Sequence, residues 1–261
     1  MTEEAQTLGQ YYFDAAFSVA DRGDNFGSPK VKYTTFTVPV RARLGVLSWA
    51  DVGVTFRYVS QHLERGSDKL TGSSVGQVSP EFKLALSDRI GFLGIWHLRS
   101  GGNEDDLPIA RGPDLEAVLL YQVPTAWPFH LNAGYVFREH YGSNLGIHDG
   151  TGVQVKPGNI FESRAALEIP LSDTFGLSTE LAYYHVNEEK IAGEAVLGSA
   201  GEAMDALVGL VWHRGGWNMG LGAGFGLLKE SHTSFDLERG AGDTLIKWTV
   251  AYKLKPMKPD L

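Results

Sequence analysis

Residues 217–228 read WNMGLGAGFGLL, and the alternation within this stretch decides the fold. Neighbouring side chains of a β-strand point to opposite faces of the sheet, so the stretch has one apolar face and one nearly bare face. The apolar face carries Trp217, Met219, Leu221, Ala223, Phe225 and Leu227. The opposite face carries Asn218 followed by Gly220, Gly222, Gly224 and Gly226. We therefore predict a two-faced β-strand here.

The same two-faced pattern recurs about twelve times along the chain. The connections between the copies alternate between short and long. Bacterial outer-membrane barrels combine an even number of antiparallel strands with short periplasmic turns and long external loops. The sequence thus predicts an all-β fold, a transmembrane antiparallel up-and-down β-barrel of twelve strands with both termini periplasmic.

The predicted connections and domain limits follow from this pattern. A single barrel domain covers residues 10–254, between a flexible segment at 1–9 and a polar tail at 255–261. The short turns are residues 45–50, 87–89, 124–128, 172–174 and 213–216. The long loops are residues 21–30, 61–76, 100–113, 142–158, 187–204 and 229–243. The fifth strand, near residues 90–99, is apolar on both faces, so the pattern does not orient it.

The alternative to a membrane barrel is a soluble β-sandwich or a lipocalin-like barrel, in which the apolar face points inward. Barrel diameter grows with strand number, so twelve strands would leave an apolar cavity too wide to fill. The strands also have nearly the 9–11 residues that cross a bilayer with tilt. Aromatic residues gather at the strand ends, as in the girdles of membrane barrels: Tyr11, Trp49, Trp127, Phe129, Phe175, Trp217 and Tyr252 on the turn side, and Tyr58, Phe137, Tyr141 and Tyr183 on the loop side.

Composition agrees with an exported membrane protein. The chain has no cysteine, which suits an oxidising export route. Its formal charge of −8 argues against nucleic-acid binding, which calls for a basic face. Residues 1–4 read MTEE and do not resemble a signal peptide, so we expect a mature outer-membrane protein whose signal segment is missing from this sequence.

The face opposite the apolar one carries charges of both signs. The acids are Asp14, Glu81, Glu116, Glu162, Glu168, Glu180 and Asp205, and the bases are Arg41, Arg43, Arg57, Lys83, Arg138, Arg164, Lys247 and Lys253. Together with His130 and His140 they are the predicted lumen-lining residues and candidates for selectivity. Balanced charge argues against a strong ion filter. Two interpretations stay open, a polar pore and a salt-bridged interior that partly plugs the barrel.

The inward-facing glycines and histidines have structural explanations as well. Gly220, Gly222, Gly224 and Gly226 either widen the bore or permit a bend or a close approach by something in the lumen. His130 and His140 share one face of the seventh strand without a clear set of further ligands, so no metal and no cofactor is predicted.

An enzyme is the least favoured interpretation. Residues 138–144 read REHYGSN, which places His140 three residues before Ser143. Outer-membrane phospholipases pair a histidine with a serine two residues later. The spacing differs here, and a Gly-Ser-Asn sequence that opens a loop is ordinary turn chemistry. We therefore predict that the protein is not an enzyme.

Short strand repeats resemble a known group of outer-membrane proteins. Residues 44–46, 50–54 and 79–84, together with 181–184 and the closing stretch 248–254, are similar to the MetA-pathway of phenol degradation family. This resemblance implies an outer-membrane barrel that helps small compounds, including aromatic ones, to cross. The polar tail after Leu254 departs from the aromatic end of many outer-membrane barrels.

The sequence leads to one functional hypothesis and one competitor. The first is a monomeric passive channel for small solutes, hydrophobic or aromatic ones included, in contact with outer-membrane lipid and lipopolysaccharide. The second is a sealed structural or adhesion barrel whose long loops bind a partner.

Overall fold

Nearly all of the described chain lies in long strands. The computed structural model describes residues 13–26, 31–65, 68–98, 114–139, 155–197, 199–229 and 244–254. These residues form β1 Phe13–Phe26, β2 Val31–Leu47, β3 Ala50–Arg65, β4 Asp68–Ala85, β5 Ile90–His97, β6 Asp114–Gln122, β7 Phe129–Arg138, β8 Val155–Lys156, β9 Ile160–Pro170, β10 Phe175–Val186, β11 Lys190–Ile191, β12 Glu194–Ala195, β13 Gly201–Arg214, β14 Trp217–Lys229 and β15 Thr244–Leu254. In this part of the chain, no helix is long and apolar enough to span a membrane.

Twelve of the described strands form one barrel. Its order around the wall is β1, β2, β3, β4, β5, β6, β7, β9, β10, β13, β14 and β15. Each strand pairs antiparallel with the next, and β1 pairs with β15 from Phe13↔Leu254 to Gly23↔Thr244, which closes the sheet. The predicted antiparallel, up-and-down arrangement is confirmed for the described strands. The short strands β8, β11 and β12 form a separate three-stranded sheet.

Polarity across the barrel wall is the reverse of that in a soluble protein. In β6, Asp114 and Glu116 are buried, whereas Leu115 and Leu119 are each 51% exposed. The same alternation continues in β7, where Asn132 and Arg138 are buried beside exposed apolar neighbours. Because the sheet is closed, the buried set faces the interior and the apolar set forms the outer surface. The predicted faces of these strands are therefore observed.

The structure orients the fifth strand, which the sequence pattern left open. In β5, Leu93 and His97 are buried on the inner face, and Trp96 lies exposed on the outer face. Its partner residues across β6 agree, because Leu93 pairs with Val118 and His97 with Asp114, both of them buried.

Aromatic side chains mark the strand ends on the outer surface. Trp49, Trp127, Phe175 and Trp217 are exposed at the turn ends, and Tyr58 and Phe137 are exposed toward the opposite ends. The rings of Trp217 and Tyr252 lie 4.5 Å apart on neighbouring strands. Of the other predicted girdle residues, Tyr11 and Tyr141 lie outside the described residues.

Two predicted long loops are wrong, because the strands continue through them. β3 and β4 stay paired up to Arg65↔Asp68, so the predicted loop at 61–76 is mostly a hairpin. β1 and β2 likewise pair up to Phe26↔Val31 across most of the predicted loop at 21–30. Backbone pairing does not require an apolar face, so these strands extend past the point where the two-faced pattern fades. Residues 100–113 and nearly all of 229–243 lie outside the described residues.

The five short turns are found where they were predicted. One of the two-residue turns joins Arg214 to Trp217 through Gly215 and Gly216, whose φ angles are +59° and +91°. Two-residue hairpin turns with positive φ at both central positions match the twist of the flanking strands and strongly favour glycine. This turn fixes the register of β14 on β13.

Candidate functional site

The inner face of the barrel holds the predicted site residues that the structure describes. The half-buried or buried side chains on this face are Arg41, Arg43, Arg57, Glu81, Lys83, Glu116, His130, Arg138, Glu162, Arg164, Glu168, Glu180, Asp205 and Lys247. Gly220, Gly222, Gly224 and Gly226 follow the same face of β14. The side chains of Asp14 and Lys253, and the whole of His140 and Ser143, lie outside what the structure describes.

The first ion pair of the interior joins β2 to β4 across the strand between them. Arg43 Nε donates to Glu81 Oε1 at 2.9 Å, and both side chains are almost entirely buried. The residue between them in the wall is Gly53, which pairs with Arg43 on one side and Glu81 on the other. A Cβ at Gly53 would lie 2.9 Å from Glu81 Oε1 and 2.8 Å from the carbonyl oxygen of Ala42. The pair therefore needs glycine at this position.

A second buried network joins three consecutive strands. Ser79 Oγ lies 2.9 Å from His97 Nδ1, and His97 Nε2 lies 2.8 Å from Glu116 Oε2. We did not predict Ser79 or His97, because β5 is apolar on both faces and Ser79 precedes a proline. The sequence does contain one signal for Ser79: alternate residues of a strand share a face, so Ser79 lies on the same face as Glu81 and Lys83.

A third contact, between a histidine and a carboxylate, also crosses a glycine. His213 Nε2 lies 2.6 Å from Glu168 Oε1, although β10 separates their strands β13 and β9. A Cβ at Gly176 of β10 would lie 2.8 Å from the same Glu168 oxygen. Both side chains of this pair are partly exposed.

Further ion pairs form a chain on the β9–β15 side of the wall. Arg164 Nη2 lies 3.5 Å from Glu162 Oε2, and Arg164 Nη1 lies 3.8 Å from Glu180 Oε1. Lys247 Nζ of β15 lies 3.8 Å from Glu180 Oε2 of β10. β13 and β14 lie between these two strands, and they present Gly209 and Gly222 in the row of Lys247.

Arg138 has a different role, anchoring the segment that leads into β9. Its backbone N–H donates to Asn159 Oδ1 at 3.0 Å, and its Nη1 lies 3.4 Å from the carbonyl oxygen of Gly158.

The inner glycines are explained in part by close backbone contacts. A Cβ at Gly224 would lie 2.6 Å from the carbonyl oxygen of Ala206, and one at Gly209 would lie 2.7 Å from that of Leu221. The backbones of β13 and β14 approach too closely for side chains there, which supports the close-approach interpretation. At Gly220, by contrast, the nearest atom is the movable Thr249 Oγ1.

Apolar side chains also fill part of the interior, which the sequence analysis did not predict. One cluster contains Leu93, Val118 and Leu120, with Ile95 packed against it. The other contains Val136, Ile160, Ala182, Tyr184, Val186 and Ala203. Much of the wall from β5 to β10 is thus packed like the core of a soluble protein.

The Ser79–His97–Glu116 network combines a hydroxyl, an imidazole and a carboxylate. Ser79, His97 and Glu116 have the order of a nucleophile, a base and an orienting acid. Ser79 is 5% exposed and His97 3% exposed, so a substrate cannot reach them in this structure. Within the described residues, no group of three or more His, Asp or Glu side chains could hold a metal ion.

Comparison with known proteins identifies the fold. No family model and no curated protein matches the chain. The structure is similar to a solved outer-membrane channel from Pseudomonas putida F1, with a TM-score of 0.74, 11% identity, and coverage of 97% of this chain and 99% of that one. The autotransporter NalP translocator domain from Neisseria meningitidis gives a TM-score of 0.55 at 11% identity, over 94% and 88% of the two chains.

A deletion mutant of TodX, a monoaromatic hydrocarbon channel, gives a TM-score of 0.51 at 9% identity, over 96% of this chain and 92% of that one. At these identities the likeness is one of fold.

Replacing Gly53 by alanine should destabilise the barrel by about 1–3 kcal/mol, because the added Cβ displaces Glu81 and contacts a backbone oxygen. Gly220→Ala is the control, since only a movable side-chain atom lies near its Cβ, and it should cost less than about 1 kcal/mol. Urea unfolding of the two variants in lipid vesicles, followed by tryptophan fluorescence, measures the difference. Equal losses would contradict the requirement for glycine beneath the Arg43–Glu81 pair.

His97→Leu should cost about 3–5 kcal/mol, because it removes the side chain that lies 2.8 Å from the buried Glu116 carboxylate. The double variant His97→Leu with Glu116→Leu should lose less than the sum of the two single losses, since the contact between the two side chains is then counted only once. The same unfolding assay completes this cycle. Strict additivity would mean that the two side chains do not interact.

Proposed function

We propose that this protein is an outer-membrane β-barrel that acts as a passive channel for small solutes. The observation that carries the proposal is the reversed polarity of the closed wall, charged inside and apolar outside. A continuous apolar surface of this extent would be a liability in water, where exposed patches rarely exceed a few hundred Å². In a bilayer it is the required surface, because a closed barrel satisfies every strand's backbone groups without water.

The orientation follows from the connections. Short turns face the periplasm in bacterial outer-membrane barrels. The five short turns lie at one end, the end at which β1 begins and β15 finishes. We therefore propose that both termini are periplasmic, that the longer connections are external, and that the outer belt contacts outer-membrane lipid and lipopolysaccharide.

Three further observations support a channel for small, including aromatic, solutes. One is the sequence resemblance to the MetA-pathway of phenol degradation family. The others are the similarity of fold to an outer-membrane channel and to TodX, a monoaromatic hydrocarbon channel. We propose a monomer, since the barrel is closed by its own strands.

A sealed structural barrel is the second candidate. The observation that favours it is the packed part of the interior, where Asp51, Lys83 and Leu120 are buried almost completely. Such a barrel would act through its external loops.

Position in the membrane is tested by charge placed at two depths. Leu221→Arg, near the middle of β14 and 61% exposed, should cost about 2–4 kcal/mol because arginine is driven into hydrocarbon. Leu86→Arg, equally exposed but in a turn, should cost about 0–1 kcal/mol near the interface. Urea unfolding in vesicles compares the two. A loss that does not depend on depth would contradict a membrane-spanning wall.

Channel function is tested by current through planar bilayers. The refolded protein should give discrete conductance steps, and its reversal potential in a KCl gradient should lie close to zero because the inner face carries both signs of charge. Absence of current together with absence of solute uptake into liposomes would favour the sealed barrel. The heat-unfolded chain serves as the control.

A further inference from the structure

The charged side chains of the inner face are separated by sign around the barrel. We call the wall made of β15 and β1–β4 the basic wall, because its described inner side chains include five bases and two acids: Lys247, Arg41, Arg43, Arg57 and Lys83, with Asp51 and Glu81. We call the wall from β6 to β13 the acidic wall, because its described inner side chains include six acids and two bases: Asp114, Glu116, Glu162, Glu168, Glu180 and Asp205, with Arg138 and Arg164. The formal net charges of these side chains are +3 and −4. The balanced charge of the interior therefore consists of two walls of opposite sign.

The basic wall and the acidic wall face each other across the lumen. In a closed barrel of twelve strands, each strand lies opposite the sixth strand after it. The strands β15, β1, β2, β3 and β4 are therefore opposite β6, β7, β9, β10 and β13, in that order. The two remaining strands, β5 and β14, are opposite each other and lie between the walls. Their described inner side chains include no acid, no lysine and no arginine.

The ion pairs of the interior do not cancel this separation. A pair within one wall leaves the net charge of that wall unchanged. The Lys247–Glu180 pair joins the two walls across β14, and the formal charges without these two residues are still +2 and −3. Asp14 and Lys253, whose side chains lie outside what the structure describes, are register partners on β1 and β15 and carry opposite formal charges. The sign of each wall is therefore the same with or without them.

Opposite charge on facing walls produces an electric field that is directed across the lumen. A cleft lined by charge and bounded by a low-dielectric wall concentrates such a field. The basic wall presents the half-buried Arg41 and Arg57. The acidic wall presents the half-buried Glu168 and Glu180. Both walls therefore bring part of their charge to the surface of the interior.

We infer that this transverse field selects small solutes that carry a cationic group and an anionic group some distance apart. This inference rests on the proposed channel function and narrows its solute class. A dipolar molecule that turns its anionic group towards the basic wall and its cationic group towards the acidic wall is stabilised at both ends. A solute with a single charge is attracted by one wall and repelled by the other, and an apolar solute gains nothing from the field.

The field is tested with single cysteines on facing strands, because the natural chain contains none. Thr55→Cys lies on β3 of the basic wall and Ser178→Cys on β10 of the acidic wall, and both positions are half-buried on the inner face. Each variant in lipid vesicles is treated with an anionic and with a cationic methanethiosulfonate reagent. The ratio of the anionic to the cationic rate, taken at one position, does not depend on how accessible that position is.

This ratio should be at least tenfold higher for Thr55→Cys than for Ser178→Cys. The difference should shrink in 1 M salt, where the Debye length is about 3 Å. Equal ratios, or a higher ratio for Ser178→Cys, would overturn the inference whether or not the protein conducts. Failure of both reagents at both positions would show a sealed interior and would overturn the proposed channel function together with the inference.

The solute class is tested with two isomers that differ in the position of the amino group. Both γ-aminobutyrate and α-aminobutyrate are zwitterions at neutral pH, and the charges are farther apart in the first. Liposome swelling should show γ-aminobutyrate entering at least twofold faster through the natural protein. The double variant Arg57→Gln with Glu180→Gln removes one charge from each of two facing strands without changing the net charge, and it should reduce this preference. Equal entry of the two isomers through the natural protein would overturn the inference and leave the proposed channel intact.

Discussion

A charged side chain inside this barrel often pairs with a partner two or three strands away, and this constraint determines which residues the wall can hold between them. Neighbouring strands are about 4.8 Å apart, so a pair that bridges two or three strands must pass over the residue between them. In this barrel the residue passed over is glycine in each of three cases. Gly53 lies beneath Arg43–Glu81, Gly176 beneath Glu168–His213, and Gly222 with Gly209 beneath Lys247–Glu180.

The ion pairs therefore depend on the glycines that lie between their partners. Burying an ion pair is costly, and the cost is recovered only with good geometry. Placing glycine between the partners allows that geometry without lengthening either side chain. Glycine lies beneath pairs of different length, from Arg43–Glu81 at 2.9 Å to Lys247–Glu180 at 3.8 Å.

The sequence predicted the architecture and the facing of residues because both depend on alternation alone. It did not predict which charges meet, because that depends on strand register. Arg43 and Glu81 are separated by 38 positions, and nothing local relates them. Ser79 and His97 were missed because β5 is apolar on both faces. The extent of the β3–β4 hairpin was missed because backbone pairing outside an apolar band leaves no hydropathy signal.

The two-residue turn at Gly215 and Gly216 has a consequence for how mutations in this barrel would act. A slip of one residue between strands moves every side chain to the opposite face. For β14 such a slip would place Leu221 and Phe225 inside the barrel and the glycines on its outer surface. A turn of two residues at the end of the barrel thus determines which side chains of β14 face the interior, even some ten residues away from the turn. Errors in that turn would appear as an inside-out strand rather than as a local defect.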